Sequence, residues 1–188
     1  MSWQEVIGEK TKSDKMPYTK FEQGNTMIRI LDNEPFSAWF HWLPKQQTSI
    51  ACLGRDCPFC NLIAQAKANK EQPMYNSSQR HAVRIWNYKT EQMEVMIQSK
   101  TFFSQLLDLH KEVGDITSYD IKVIRKGDGT STTYTMLPSA PKDFDVKGKD
   151  IVGVNFTELF KAPSKEEALM LIDGKTWSEI NGDVEDVA

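Results

Sequence analysis

Short stretches in which apolar and polar residues alternate recur along this chain, and such alternation is typical of β-strands with one buried face. The predicted strands are residues 26–31, 38–43, 80–88, 93–97, 120–126 and 132–137. Turn-forming residues follow the first strand at 32–35 and precede the last at 127–129. The pattern therefore indicates a mainly β protein.

Apolar residues at helical spacing, together with helix-start signals, predict helices between and after the strands. The predicted helices are residues 58–69, 100–113, 156–161 and 165–172. Pro58 suits a first helical turn, Ser99 can cap the second helix, and Ser164 with Glu167 forms a capping box before the fourth. His110 lies on the apolar face of the second helix and is predicted to be buried. We therefore predict a mainly β fold with added helices, for which the five-stranded oligonucleotide-binding (OB) barrel is the natural candidate.

The composition narrows the class of protein. The chain has 188 residues, 39% of them hydrophobic, which suits one domain with a real core. No apolar run approaches the roughly 18 residues of a membrane span. Polar residues such as Glu5 and Lys10 interrupt the N-terminus too early for a secretory signal. We therefore expect an intracellular protein without membrane contact.

Charge is distributed unevenly along the chain. The formal net charge is −3, which alone argues against nucleic-acid binding. Residues 1–126 carry 17 Lys and Arg against 14 Asp and Glu, whereas residues 127–188 carry 6 against 12. A basic body with an acidic end hints at nucleic-acid contact, although ordinary variation in surface charge gives the same asymmetry.

All three cysteines fall within nine residues, in a C-x4-C-x2-C arrangement. Cys52, Cys57 and Cys60 cannot all pair with one another, which favours metal binding in a reducing compartment. His41 stands eleven positions before Cys52, and three thiolates with one imidazole complete the tetrahedral shell of one structural Zn²⁺. His81 also opens a predicted strand, so it remains an alternative fourth ligand.

Two catalytic interpretations of the same residues are considered. The Cys57-Pro-Phe-Cys60 pair at a helix N-terminus is typical of dithiol oxidoreductases, but that reading leaves Cys52 unexplained. A zinc nucleobase deaminase requires an H-x-E sequence. This chain has leucine two residues after His41, and four protein ligands leave the ion no open position.

The strand at 80–88 carries a second pattern. Arg84, Trp86 and Tyr88 share one face, whereas Val83 and Ile85 share the other. An arginine-aromatic face opposite an apolar face suits a platform on which bases stack and cations contact phosphates. A core tryptophan beside a solvated arginine would give the same alternation. Because similar patterns recur on neighbouring strands, we predict nucleic-acid contacts at Arg29, Trp42, Arg55, Arg84, Trp86, Tyr88, Lys122, Arg125, Lys126 and Tyr134.

Several stretches of the chain resemble the helix-destabilising single-stranded DNA-binding proteins of tailed phages. The similar stretches are residues 28–31, 41–44, 52–60, 80–87, 118–129 and 133–135, within about residues 17–140. The resemblance implies an OB barrel with an inserted His/Cys3 zinc site. It also implies a non-enzymatic role in phage DNA replication, recombination and repair, in the cytoplasm of the infected host cell.

In that family a basic N-terminal arm promotes cooperative binding between neighbouring copies, and an acidic tail contacts replication or recombination proteins. The resemblance assigns Lys10, Lys12, Lys15 and Lys20 to the arm, and Asp183, Glu185 and Asp186 to the tail. Acidic residues interrupt the arm and the acidic tip is short, so the chain departs from the family in degree.

The predicted organisation has three parts. Residues 1–16 form a flexible arm, residues 17–140 the OB core with a zinc subdomain at about 41–70, and residues 141–188 a helical extension with an acidic tip. The predicted function is sequence-independent binding of single-stranded DNA, without enzymatic activity. A zinc-containing RNA-binding module, a protein-interaction module and a dithiol oxidoreductase using Cys57 and Cys60 remain as alternatives.

Overall fold

A computed structural model of the chain describes residues 17–181. The strands are β1 Gly24–Ile30, β2 Phe36–Leu43, β3 Thr48–Ala51, β4 Asn76–Asn87, β5 Gln92–Ser99, β6 Asp120–Lys126 and β7 Thr133–Pro138. The helices within these residues are α1 Pro58–Ala68, α2 Lys100–Val113, α3 Phe156–Leu159, α4 Lys165–Ile172 and α5 Trp177–Asn181. The predicted mainly β class with added helices is confirmed.

The seven strands form one antiparallel sheet in the order β3-β2-β4-β1-β6-β7, with β5 also paired to β4. The long strand β4 pairs with β2 through Phe36 and Ala82, and with β1 through Ile28 and Asn87. Because β3 and β7 are the two ends of this path, the sheet does not close into a barrel. The five-stranded barrel predicted from the sequence is therefore not what residues 17–181 form.

Strand β3 was not among the six predicted strands, and β4 begins at Asn76 rather than at residue 80. β3 pairs with β2 so that Ala51 lies opposite Phe40 and Thr48 opposite Leu43. Its β-branched residues Thr48 and Ile50 were the available sequence signal. A strand of four residues is too short for alternation to distinguish it from a loop.

Residues 17–33, 83–97 and 112–152 form the first of two compact units. Its core is apolar, with Ile28, Ile85, Val95 and Ile121 fully buried. On the opposite face of β1, Arg29 lies directly across from Asp120 of β6. This unit therefore buries a charged pair as well as an apolar layer.

Residues 34–82, 98–111 and 153–181 form the second unit. In its core, Leu43 of β2, Phe59 of α1, and Ala168 and Leu171 of α4 are buried in one cluster. The side chain of Ser164 and that of Glu167 form the predicted capping box at the start of α4. α4 is thereby positioned so that one face covers β2 and α1.

The structure differs from the sequence prediction at His110, which is exposed on α2 rather than buried. Only Phe102 and Leu106 of that helix are buried, so its apolar face is narrower than the sequence indicates. The predicted arm at residues 1–16 and the predicted acidic contacts Asp183, Glu185 and Asp186 lie outside the described residues. None of the helices within 17–181 combines the length and apolar character that crossing a bilayer requires.

Candidate metal centre and nucleic-acid interface

The second unit brings His41, Cys52, Cys57 and Cys60 together, with one ligand atom from each within 4.8 Å of all the others. Nε2 of His41 lies 3.4 Å from Sγ of Cys57 and 3.6 Å from Sγ of Cys60. The Sγ atoms of Cys52 and Cys60 are also 3.6 Å apart. Ligand atoms about 2.0–2.3 Å from one tetrahedral ion stand about 3.5–3.8 Å from each other. These three separations match or nearly match that spacing, so the four residues are consistent with a metal site.

Local backbone conformation explains how three cysteines close in sequence converge. Gly54 and Asp56 have positive φ angles of 81° and 61°, which turn the chain back between Cys52 and Cys57. The N–H of Gly54 donates to Sγ of Cys52 at 3.4 Å. Cys57 is the N-cap of α1 and Pro58 follows it, so Cys60 falls within the first turn of the helix. The sequence C-x4-C-P-x-C thus encodes both the turn and the helix start.

The cluster is part of the core of its unit. His41 and Cys57 are buried, with at most 1% of their surface exposed. The ring of Phe59 stacks on His41 at 5.4 Å, and Tyr75 meets Phe59 edge-on at 5.0 Å. A buried imidazole and thiols in apolar surroundings lose hydration, which a bound cation would offset.

Electrostatics at the cluster also favour a bound cation. Burial, with the neighbouring sulfur atoms of Cys52 and Cys57, raises the pKa of the Cys60 thiol to about 12. The pKa of Cys57 is lowered overall. Burial alone would raise it, but hydrogen bonds from the N–H groups of residues 53, 59 and 60 stabilise the thiolate and outweigh the effect of burial. The three sulfur atoms therefore cannot all be thiolates at neutral pH without a nearby positive charge.

The histidine ligand is suited to metal binding as well. Burial lowers the pKa of His41, opposed by the backbone of Asn76, so the imidazole is neutral at neutral pH. A neutral imidazole is the form that coordinates a metal. The alternative ligand, His81, is not in the cluster: its Nδ1 lies 2.6 Å from Oγ of Ser37, and its ring contacts Phe103.

In the first unit the predicted contacts Arg84 and Trp86 lie on β4 and Tyr88 directly follows it, but all three side chains are largely covered. Arg84 forms an ion pair of 2.6 Å with Asp32, and Trp86 is only 7% exposed. The hydroxyl of Tyr88 donates to Oδ1 of Asp120 at 2.9 Å. Burial and the neighbouring Asp120 raise the pKa of Tyr88 to about 12. These side chains serve internal contacts in this conformation.

Arg29 is the most deeply buried of the predicted contacts, with 1% of its surface exposed. Its Nε donates to Asp120 at 2.7 Å, and its terminal nitrogens donate to the backbone carbonyls of Thr117 and Lys142. Each of the three nitrogens of this guanidinium thus has a protein acceptor. The burial of Arg29 could not be predicted from the sequence, because its partner Asp120 lies 91 positions away and leaves no local signal.

The remaining predicted contacts of this unit lie on β6 and β7 but do not share one face. Arg125 stands directly across from Tyr134, whereas Lys122 stands across from Leu137 and Lys126 across from Thr133. Side chains alternate along a strand, so Arg125 and Tyr134 face one side and Lys122 and Lys126 the other. Lys126 is exposed, whereas the other three are partly buried.

The second unit exposes Trp42 and Arg55, as the predicted contacts require. Trp42 follows the ligand His41 on β2 and is 42% exposed, and Arg55 lies in the exposed loop between Cys52 and Cys57. The sequence analysis missed Trp39, which is 53% exposed. Because the two tryptophans are three residues apart on one strand, their side chains leave opposite faces of the sheet.

Three phenylalanines that the sequence analysis also missed lie on the Trp42 side of β2. The half-buried ring of Phe36 stacks on Phe156 at 5.6 Å and on Phe160 at 5.7 Å, with interplanar angles of 18° and 17°. Phe36 and Trp42 are six positions apart, so their side chains share a face. The i, i+4 spacing of Phe156 and Phe160 was the sequence signal for this pair.

Together, the fold and the cluster define a mainly β protein with a His/Cys cluster that could hold a metal ion and an aromatic surface on β2. Comparisons with protein-family models, with curated proteins and with solved structures found no match to this chain. The function is therefore inferred from the residues and their geometry.

Proposed function

We propose that this protein binds single-stranded DNA without sequence preference and is not an enzyme. The observation that carries the proposal is the exposure of Trp42 on the strand that also holds the metal ligand His41. Trp42 shares its face of β2 with the half-buried stack of Phe36, Phe156 and Phe160. Exposed and half-exposed rings of this kind stack on unpaired bases, whatever the base.

Cations of the same unit are available for phosphate contacts. Lys45, Arg55 and Arg80 are exposed, and none of them has an ion-pair partner within residues 17–181. Arg80 stands across from Ala38, which places it on the Trp42 face. Unpaired cations near exposed rings are the combination that single-strand binding requires.

The proposed metal is one structural Zn²⁺. A set of three thiolates and an imidazole binds zinc in preference to harder divalent ions, which favour oxygen ligands. The four protein ligands leave no position for water or substrate, which supports a non-catalytic role. When bound, the ion supplies the positive charge that the three sulfur atoms need, and it ties β2 to α1 beside Trp42.

The resemblance to the helix-destabilising proteins of tailed phages supports the cellular role that we propose. That role is in phage DNA replication, recombination and repair, in the cytoplasm of the infected host. Neighbouring copies would bind through the arm, and replication or recombination proteins through the acidic residues Asp183, Glu185 and Asp186.

A second candidate, a protein-interaction module, is favoured by one observation. Leu62 of α1 and Leu169 of α4 are 36% and 47% exposed and line one apolar groove with Pro58 and Ile172. Contiguous exposed apolar patches are typical of protein-binding surfaces. This candidate predicts no affinity for nucleic acid.

Replacing Trp42 tests the aromatic surface. Trp42→Ala is expected to weaken binding of a fluorescently labelled oligo-dT about 5- to 150-fold, because stacking contributes about 1–3 kcal/mol per base. Fluorescence anisotropy measures the affinity. Trp39→Ala is the matched control, since it removes an even more exposed indole from the opposite face and should leave the affinity unchanged. Equal affinities of Trp42→Ala and the parent protein would place the stacking surface elsewhere.

A further inference from the structure

Residues 141–152, here called the covering segment, contact four of the predicted nucleic-acid contacts of the first unit: Arg29, Arg84, Trp86 and Tyr88. The ring of Phe144 lies 6.2 Å from the Trp86 ring. The guanidinium of Arg29 lies 5.4 Å from the same Phe144 ring. Nζ of Lys149 is 5.4 Å from Trp86 and 5.2 Å from Phe144.

Lys142 and Val152 complete the cover at its two ends. Nζ of Lys142 pairs with Asp120 at 2.6 Å and lies 5.6 Å from the ring of Tyr88. The backbone carbonyl of Lys142 accepts hydrogen bonds from Arg29, and that of Val152 accepts one from Arg84 at 2.9 Å. The segment therefore covers the C-terminal end of β4, from Arg84 to Trp86, and Tyr88 just beyond it.

Two kinds of contact that the segment makes could also be made by a single nucleic-acid strand. The ring of Phe144 packs against Trp86 at an interplanar angle of 56° and covers the indole on which an unpaired base would stack. Carbonyl oxygens accept hydrogen bonds from two arginines, as phosphate oxygens do. The segment and a nucleic-acid strand would thus use the same groups and cannot occupy them together.

The covering segment also has features that favour its release from the sheet. It contains no helix or strand, and the backbone hydrogen bonds that hold it are sparse, with Lys142 N–H to the Ser118 carbonyl anchoring its start. Val146 in its middle is 59% exposed. Segments with few buried contacts open at a small fraction of the global free energy of unfolding.

We propose that residues 141–152 compete intramolecularly with single-stranded DNA for the face formed by Arg29, Arg84, Trp86 and Tyr88, and that DNA binding displaces them. The inference rests on the proposed function, and it adds a regulated second surface to the one at Trp42. Because only the open fraction binds, the apparent affinity at this face is the intrinsic affinity multiplied by that fraction. Loosening the segment must then strengthen binding.

The first test removes the ring that covers Trp86. Phe144→Ala is expected to bind oligo-dT about 2- to 10-fold more tightly than the parent protein. This range corresponds to the free energy that one aromatic pair contributes to holding the segment against the sheet. Lys149→Ala should act in the same direction. Val146→Ala is the matched control, because it shortens an exposed side chain of the same segment and should not change the affinity. Affinity for Phe144→Ala that is equal to or weaker than the parent's contradicts displacement.

The second test uses the unaltered protein, so it does not depend on a variant that folds. Trypsin should cleave after Lys147 and Lys149 faster when oligo-dT is bound, because the segment has left the sheet. Bound oligo-dT with unchanged or slower cleavage at these sites overturns the inference and leaves the proposed function intact. Absence of oligo-dT binding by the parent and by both loosened variants overturns the proposed function and this inference with it.

Discussion

Removing the proposed zinc ion is expected to lower the melting temperature of this protein by at least about 8–16 °C, the shift that a loss of about 4 kcal/mol produces in a chain of this size. Binding to a structural zinc site contributes about 10–16 kcal/mol in small zinc domains, so this estimate is conservative. The reason lies in the core, where His41 and Cys57 are buried beside Phe59 and Leu171. Without the ion, the thiol of Cys57 and the imidazole of His41 remain dehydrated in that core, with Cys52 and Cys60 partly buried beside them. Chelation followed by calorimetry measures the shift.

Histidine substitution provides the matched comparison for the metal. His41→Asn should lose the stoichiometric ion and melt at the temperature of the chelated parent protein. His110→Asn removes an exposed imidazole and should retain one zinc per chain and the parent's melting temperature. A metal-free protein that melts with the holoprotein would refute a structural role for the site.

Asp120→Asn is expected to lower the free energy of unfolding by about 3–5 kcal/mol, because removing one member of a buried ion pair leaves the other charge uncompensated. Asp120 accepts hydrogen bonds from Arg29, Lys142 and Tyr88 at 2.6–2.9 Å. Asparagine has the same shape but no negative charge to offset the buried guanidinium. Urea unfolding of the parent and the variant measures the difference.

Asp128→Asn is the control for this prediction. Asp128 is 80% exposed and lies 3.7 Å from Arg125, a geometry that contributes about 0–1 kcal/mol. Equal urea midpoints for Asp120→Asn and Asp128→Asn would contradict the buried network.

The same network predicts a pH dependence of stability. Burial raises the pKa of Asp120, but Lys142, Arg29 and Tyr88 outweigh it and hold the pKa below its ordinary value. A lowered pKa in the folded state gives stability that is present above about pH 4 and is lost as the pH falls further. The parent protein should lose this contribution in acid, whereas Asp120→Asn should not.

The His/Cys cluster was predictable because most of its residues are close together in the sequence. Three of the four ligands lie within nine residues, and the x2 spacing at a helix start forces Cys57 and Cys60 together. Sequence alone could not decide whether His41 or His81 joins the cysteines, because the answer depends on how β2 pairs with β3 and β4. Strand pairing resolved that choice and also produced an open sheet where a barrel was expected.

The covering of the β4 face was invisible in the sequence for a related reason. Alternation showed that Arg84, Trp86 and Tyr88 share a face, and that prediction agrees with their common environment in the structure. Alternation does not reveal what lies on a face, and Phe144 belongs to a segment without any periodic pattern. The burial of Trp86 and Arg29 therefore became visible only with the tertiary structure.

Competition for a labelled oligo-dT tests the central claim, single-stranded DNA binding, most directly. Unlabelled single-stranded DNA, duplex DNA and RNA of equal length are compared at two salt concentrations. We predict that single-stranded DNA competes best, and that the logarithm of its affinity falls with the logarithm of salt at a slope of about −0.7 per phosphate contact. Duplex DNA or RNA that competes as well as single-stranded DNA, or an affinity that does not change with salt, would contradict the account.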